Sequence, residues 1–155
     1  MSSISRITVA LLFSTASFTT AASPTTNPQE ARLIGAWQEG LTPKLAQGSP
    51  EQATTARKAG LLGAITVFKA DHRFELHLPC GAKQAELRKL GMQFIPGTWQ
   101  LSKSGDLILT VTNGKRQAVE QGKLHLSEGQ MTWTGKNGRV LQKAGKYEGP
   151  LPLVC

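Results

Sequence analysis

Histidine, cysteine and tryptophan are the residues of this 155-residue sequence whose types and spacing could do chemistry. His72, His77 and His125 could ligate a metal or act as a base, but no carboxylate or cysteine stands beside them at a ligand spacing. His72 falls in a turn. His77 and His125 fall on the polar faces of predicted strands, so all three are expected to be solvated. Asp71, next to His72, could serve as a general base, yet a turn aspartate more often bonds its own backbone. There is no Gly-x-Ser-x-Gly elbow, no His-Glu-x-x-His and no phosphate loop. The sequence therefore predicts no catalytic residue, no metal site and no cofactor, and a protein that is not an enzyme.

Cys80 and Cys155 are the two cysteines, and their reading depends on the compartment. Residues 1–22 have the three parts of a cleavable signal peptide. Arg6 and the terminal amine are positive, Ile7 to Phe18 is uncharged and mostly apolar, and Thr20-Ala21-Ala22 offers the small residues that a signal peptidase reads. The apolar run is shorter than the roughly 20 residues that a membrane span requires, and serine and threonine dilute it. The working protein is thus expected to be periplasmic or secreted and not membrane-spanning. In such an oxidising place one intramolecular Cys80–Cys155 disulfide is the preferred reading, with two free thiols or a linked dimer as alternatives. Closing so long a loop would stabilise by about 4 kcal/mol in the chain-entropy picture.

Processing would leave about 133 of the 155 residues, enough for one domain. The signal carries one of the 18 basic residues and none of the 10 acidic ones, so the mature charge is about +7. That balance favours an acidic protein or an anionic envelope surface. Nucleic acid is not expected, since the location is wrong and the interleaved exposed aromatics of a stacking platform are missing.

The elements that would position these groups are mostly strands. Residues 23–31 are polar and Pro-rich and are expected to form a disordered lead-in, followed by a single domain over 32–155. Leu33 to Gln38 reads as a first strand. An insertion from 41 to 62 contains a short helix, with Ser49 as N-cap, Pro50 in the first position, Gln52 completing a capping box and Gly60 ending it. Ile65 to Lys69 and Arg73 to Leu78 flank a turn at Ala70-Asp71-His72, and Phe74, Leu76 and Leu78 alternate with polar residues. Gly81 to Gly91 breaks the alternation and suggests a helical turn or a structured loop. Met92 to Leu101 is interrupted by Pro96-Gly97, which suggests a bulge or an edge. Strands then follow at Asp106–Thr112, Arg116–Gln121, Lys123–Leu126, Met131–Thr134 and Arg139–Lys143, with tight hairpin signals at Asn113-Gly114 and Asn137-Gly138. The expectation is an all-β protein, a small antiparallel up-and-down β-barrel with a short helical insertion, with a β-sandwich as the alternative.

Several of these residues resemble bacterial lipocalin-like domains. Leu33-Ile-Gly-Ala-Trp37-Gln resembles the opening Gly-x-Trp strand of that family. Ile65 to Asp71 with Arg73-Phe-Glu, then Gly97-Thr-Trp99-Gln, then Gly105-Asp-Leu-Ile-Leu-Thr110 resemble its later hairpins in the right order. The sequence departs from the family at the helical insertion and at His72, which replaces the usual glycine. The resemblance implies a barrel that holds a small apolar or amphipathic ligand, with Phe74, Leu76, Trp99, Leu109 and Trp133 as candidate wall residues. It also implies a structural cation–π pair between Trp37 and Arg139. The competing function is an exported inhibitor or immunity-type protein that grips a partner through its loops, the 41–62 insertion and the disulfide-anchored tail being the candidates. A monomer is expected.

The first testable consequence concerns processing. Mass spectrometry of the protein from its native envelope fraction should show a chain beginning near Ser23 and two hydrogens lighter than after reduction. An intact Met1 would contradict the signal peptide, and a mass unchanged by reduction would contradict the bridge.

Overall fold

A computed structural model describes residues 27–151 and Leu153. The signal segment 1–22, residues 23–26 of the lead-in, and Cys155 lie outside these residues. Eight antiparallel strands pair in sequence order, and the last pairs with the first to close a barrel. They are β1 (Gly35–Glu39), β2 (Ile65–Phe68), β3 (Arg73–His77), β4 (Ile95–Leu101), β5 (Asp106–Asn113), β6 (Arg116–Ser127), β7 (Gln130–Gly135) and β8 (Val140–Tyr147). Among the described residues four helices accompany them: α1 (Pro28–Leu33), α2 (Pro43–Ala46), α3 (Pro50–Lys58) and α4 (Ala82–Lys89). The all-β up-and-down barrel is the architecture present, and the sandwich is not.

Strand parity decides what faces inward. The cross-strand partners Trp37, Thr66 and Leu76 share one face, as do Trp99, Leu109 and Glu120, and Trp133 and Gln142. This is the inner face. The main core gathers there, with Leu33, Trp37, Phe68, Phe74, Trp99, Leu107, Leu124, Met131 and Trp133 all buried. A second, smaller core of Leu41, Ala56 and Leu62, with Leu45 and Tyr147, forms where the insertion packs on the outside of the wall.

The lead-in differs from expectation. Residues 28–31, read as disordered, belong to α1, as does Leu33, read as strand. Asn27 caps this helix by accepting from the Gln29 N–H, Pro28 opens it, and Glu30 sits in its first turn. Local capping overrides the composition because Leu33 gains a fully buried site. Asn27 reaches the Ser102 carbonyl and Arg32 the Leu126 carbonyl, so α1 spans one end of the barrel.

The insertion helix follows its sequence closely. Ser49 and Gln52 form the reciprocal capping box, and Gly60 takes the left-handed φ of +70° just past the helix end. Residues 81–91 contain α4, whose Arg88 donates to the Leu153 carbonyl at 3.2 Å. The two strands expected over 116–126 are one, β6, of 12 residues.

Pro96-Gly97 makes neither an edge nor a bulge. β4 pairs with β3 through both residues. The Trp99 N–H donates to the His72 carbonyl, so by alternation Pro96 turns its nitrogen toward β5, whose ladder begins only at Thr98. The missing N–H costs nothing there. Gly97 is required for packing: a Cβ on it would lie 2.4 Å from the Phe74 ring and 2.6 Å from the Thr110 carbonyl oxygen. A register shift falls instead between Trp133 and Thr134, against β8.

Gly97→Ala should therefore cost about 3 kcal/mol, at the upper end for overpacking, because one of its two neighbours is backbone and cannot rotate away. Urea denaturation would measure it. A loss below about 1 kcal/mol would show that the Phe74 ring can move aside.

Candidate functional site

The two ends of the barrel differ. At the α1 end, Leu33, Phe68, Trp99, Leu107 and Met131 fill the interior and are almost fully buried. At the other end the side chains leave a cavity of about 480 Å³. Phe74, Leu76, Leu109, Val111, Trp133 and Leu141 supply its apolar wall. Thr66, Gln142, Glu39 and Glu120 add polar groups.

Each wall residue arrives by strand parity. Leu76 lies opposite Thr66, Glu120 opposite Leu109, and Gln142 opposite Trp133. The Gln142 amide lies 3.5 Å from the Thr66 hydroxyl, a long hydrogen bond across the cavity wall. The Trp133 Nε1 donor is buried with no hydrogen-bond partner. Glu39 and Glu120 are exposed at the rim. The arrangement can bury an apolar body and offer a few polar contacts near its opening.

Four of the five residues expected to form a ligand wall thus come together: Phe74, Leu76, Leu109 and Trp133. Trp99 does not join them. It stands edge-on to Phe68 at 5.8 Å, lies 4.7 Å from the His72 ring, and donates Nε1 to the Lys69 and Arg73 carbonyls at 3.1 Å. It closes the β2–β3 turn from inside. The sequence could not separate the roles of the tryptophans because strand parity gives the face but not the height along the barrel. Missed in the sequence were Thr66, Val111, Leu141 and Gln142. Val111 shares the strand and parity of Leu109, and that signal could have found it. Thr66, by contrast, follows from its register with Trp37 and Leu76, and the adjacent Leu141 and Gln142 line the cavity together where the register of β8 shifts.

The cation beside Trp37 is Lys146, not Arg139. Lys146 Nζ sits 4.7 Å from the indole centroid and donates to the Ile34 carbonyl at 2.9 Å. The β1–β8 register sets Lys146 directly opposite Trp37. Arg139 is exposed in the β7–β8 turn, about 20 Å away along the strand at the usual rise per residue. Burial pushes the Lys146 ammonium below its ordinary value, against an opposing pull from Glu148. Trp37 in turn donates Nε1 to the Leu33 carbonyl at 2.7 Å, which ties β1 to α1.

The histidines divide. His125 is exposed, as expected. His72 is also exposed, but it holds a left-handed φ of +63° and packs on Trp99, with Glu30 at 3.7 Å. Here His72 holds a backbone conformation that a glycine would take more readily. His77 overturns its assignment: it is 5 % exposed, lies against Phe94 at 5.3 Å, and bonds Glu75 through Nε2 at 3.1 Å. The outer face of β3 is covered at this point, which the alternation alone did not reveal. Asp71 behaves as a turn residue, accepting from the Arg73 N–H and its guanidinium. The Arg73 hydrogen bond holds its carboxyl below the usual range. Among the described residues no cluster of three His, Cys, Asp or Glu could hold a metal ion. Nor is any helix there long and apolar enough to cross a membrane.

No family model matches the chain, and no curated protein matches it either. Among solved structures, the crystal structure of a DUF4847 family protein from Bacteroides vulgatus is similar at 16% identity, with a TM-score of 0.44. The likeness covers 79% of this chain and 99% of that one.

Glu75 supplies a pH-dependent test of the outer wall. Burial raises its pKa, but hydrogen bonds from Lys69 and His77 outweigh burial and hold the carboxyl below its ordinary value of 4.5. A depressed folded value stabilises above the unfolded pKa and is lost as pH falls through the folded one. Glu75→Gln should cost about 1 kcal/mol at pH 7, and the difference from the parent should shrink steadily below about pH 4.5. A difference independent of pH would show that the charge of Glu75 is not what matters.

Proposed function

We propose that this chain is an exported, lipocalin-like binding protein, not an enzyme, that holds a small apolar or amphipathic molecule in the mouth of its barrel. The observation that carries this reading is the cavity of about 480 Å³ walled by Phe74, Leu76, Leu109 and Trp133. Its size falls in the ordinary range for small-molecule sites, roughly 300–1,000 Å³. Each 100 Å² of apolar ligand surface removed from water would contribute about 2.5 kcal/mol. Thr66 and Gln142 supply polar contacts that can orient the ligand.

Export to the periplasm or beyond rests on residues 1–22, and with it the Cys80–Cys155 bridge. The bridge is further supported by the tail: Leu153 is buried and its carbonyl accepts from Arg88 on α4, the helix that Cys80 precedes by two residues. The lipocalin-like reading rests on the Gly-x-Trp opening and on the eight-stranded up-and-down closure.

An uncharged apolar dye such as N-phenylnaphthylamine should bind the mature protein at one saturable site. Leu109→Trp fills the mouth and should weaken the dye about tenfold, or ~1.4 kcal/mol, while circular dichroism reports an unchanged sheet. Equal affinity for the parent and Leu109→Trp would overturn this reading.

A further inference from the structure

Outside the barrel wall, the 41–62 insertion leaves a second recess of about 460 Å³, separate from the mouth. Its base is β1, where Gln38 points outward by strand parity. Leu41, Leu45 and Tyr147 make apolar walls, and Arg57 from α3 reaches into it.

Two residues that line this recess carry a buried hydrogen-bond donor with no acceptor. The Gln38 Nε2 amine is buried and unpaired, and Gln38 as a whole is 1% exposed. The Arg57 Nε is likewise buried and unpaired, and among the described residues Arg57 makes no ion pair. An unmet buried donor costs about 1–3 kcal/mol, and more when it is charged. Unmet donors on two residues of one recess make it a place where a ligand acceptor would gain. The first turn of the nine-residue α3, at Ser49, Pro50 and Ala53, lines the same recess and adds the partial positive charge of a helix start. Lys146 also borders it, but its ammonium is turned inward onto the Ile34 carbonyl and Trp37. Glu128 and Glu148 border it as well, but both are exposed, where water and salt screen them.

We infer that the recess between the insertion and the outer face of β1 binds a small organic carboxylate with a short apolar body, its oxygens accepting from Gln38 and Arg57. The ligand class follows from the site: two donors, one of them cationic, above apolar side chains. The site is independent of the barrel mouth and stands or falls without it.

Tyr147, the sole tyrosine of the sequence, lines this recess. Incorporated 3-fluorotyrosine would therefore give one fluorine resonance that reports on it. Titrating the mature protein with hexanoate should shift that resonance saturably, and hexanol should bind at least about tenfold more weakly. Gln38→Leu and Arg57→Met should each weaken hexanoate about tenfold. Gln38→Leu removes an unpaired donor at similar volume, so it should fold at least as stably as the parent. Leu109→Trp, which fills the barrel mouth, should leave the Tyr147 titration unchanged. Hexanol binding as tightly as hexanoate, no saturable shift, or indifference to both recess variants would overturn the inference. Loss of the Tyr147 shift in Leu109→Trp would also overturn it, since hexanoate would then be acting through the barrel.

Discussion

Everything in this structure depends on the short ladder between β1 and β8. It joins Ala36 to Tyr147, Trp37 to Lys146, Gln38 to Gly145 and Glu39 to Ala144. Without it the meander would be an open sheet with two unpaired edges, a state that proteins avoid because it invites association. With it, parity is fixed around the whole circle, and each residue of the five-residue β1 is committed to one side. Trp37 and Glu39 must face in, and Gln38 must face out. The indole at the closed end, the carboxylate at the rim and the amide in the outer recess are three results of one register.

Closure also explains why the two ends differ. At one end α1 crosses the opening, held by Asn27 on Ser102, Arg32 on Leu126 and Trp37 on Leu33. Large side chains crowd beneath it. At the other end no helix among the described residues lines the opening, and the long β5–β6 hairpin, with Arg116 to Gln121 exposed, extends past its neighbours. A small barrel of eight strands is just wide enough for its side chains to fill it or for one small ligand to sit inside. Here the filling is used at one end and the space at the other.

Much of this was readable in the sequence where the signal was local. The capping box at Ser49 and Gln52 is written in the residues that make it, and so are the turns near Asn113-Gly114 and Asn137-Gly138. Period-two alternation in Arg73–His77 gave the inner face correctly, and from it Phe74 and Leu76. Readings failed where the answer lay in what covers a strand. His77 alternates as a polar-face residue, but Phe94 and Glu75 enclose it. Pro96-Gly97 has the composition of an edge, but closure leaves no edge for it to occupy. Arg139 stood in the right strand order for Trp37, but only the register, a long-range property, chooses Lys146. Trp99 had the right face and the wrong height.

The outer wall carries the same lesson further. In a simple barrel the outward positions of β1, β2 and β3 would meet water, and polar residues there would need no explanation. The cross-strand set Gln38, Ile65 and His77 is instead buried, at 1%, 0% and 5% exposure. The insertion and the segments around it have turned that patch of outer surface into interior. Ile65 suits such a place, whereas an amide and an imidazole must find partners or leave atoms unmet. His77 finds Glu75 with one nitrogen and leaves Nδ1 unpaired, and Gln38 leaves its amine unpaired. Burying apolar side chains under the insertion accounts for Leu41, Leu62 and Ile65, but it would have been better served by an apolar residue at position 38. That an amide stands there, on a recess also lined by Arg57 with its unpaired guanidinium nitrogen, is the point at which packing stops explaining the residue.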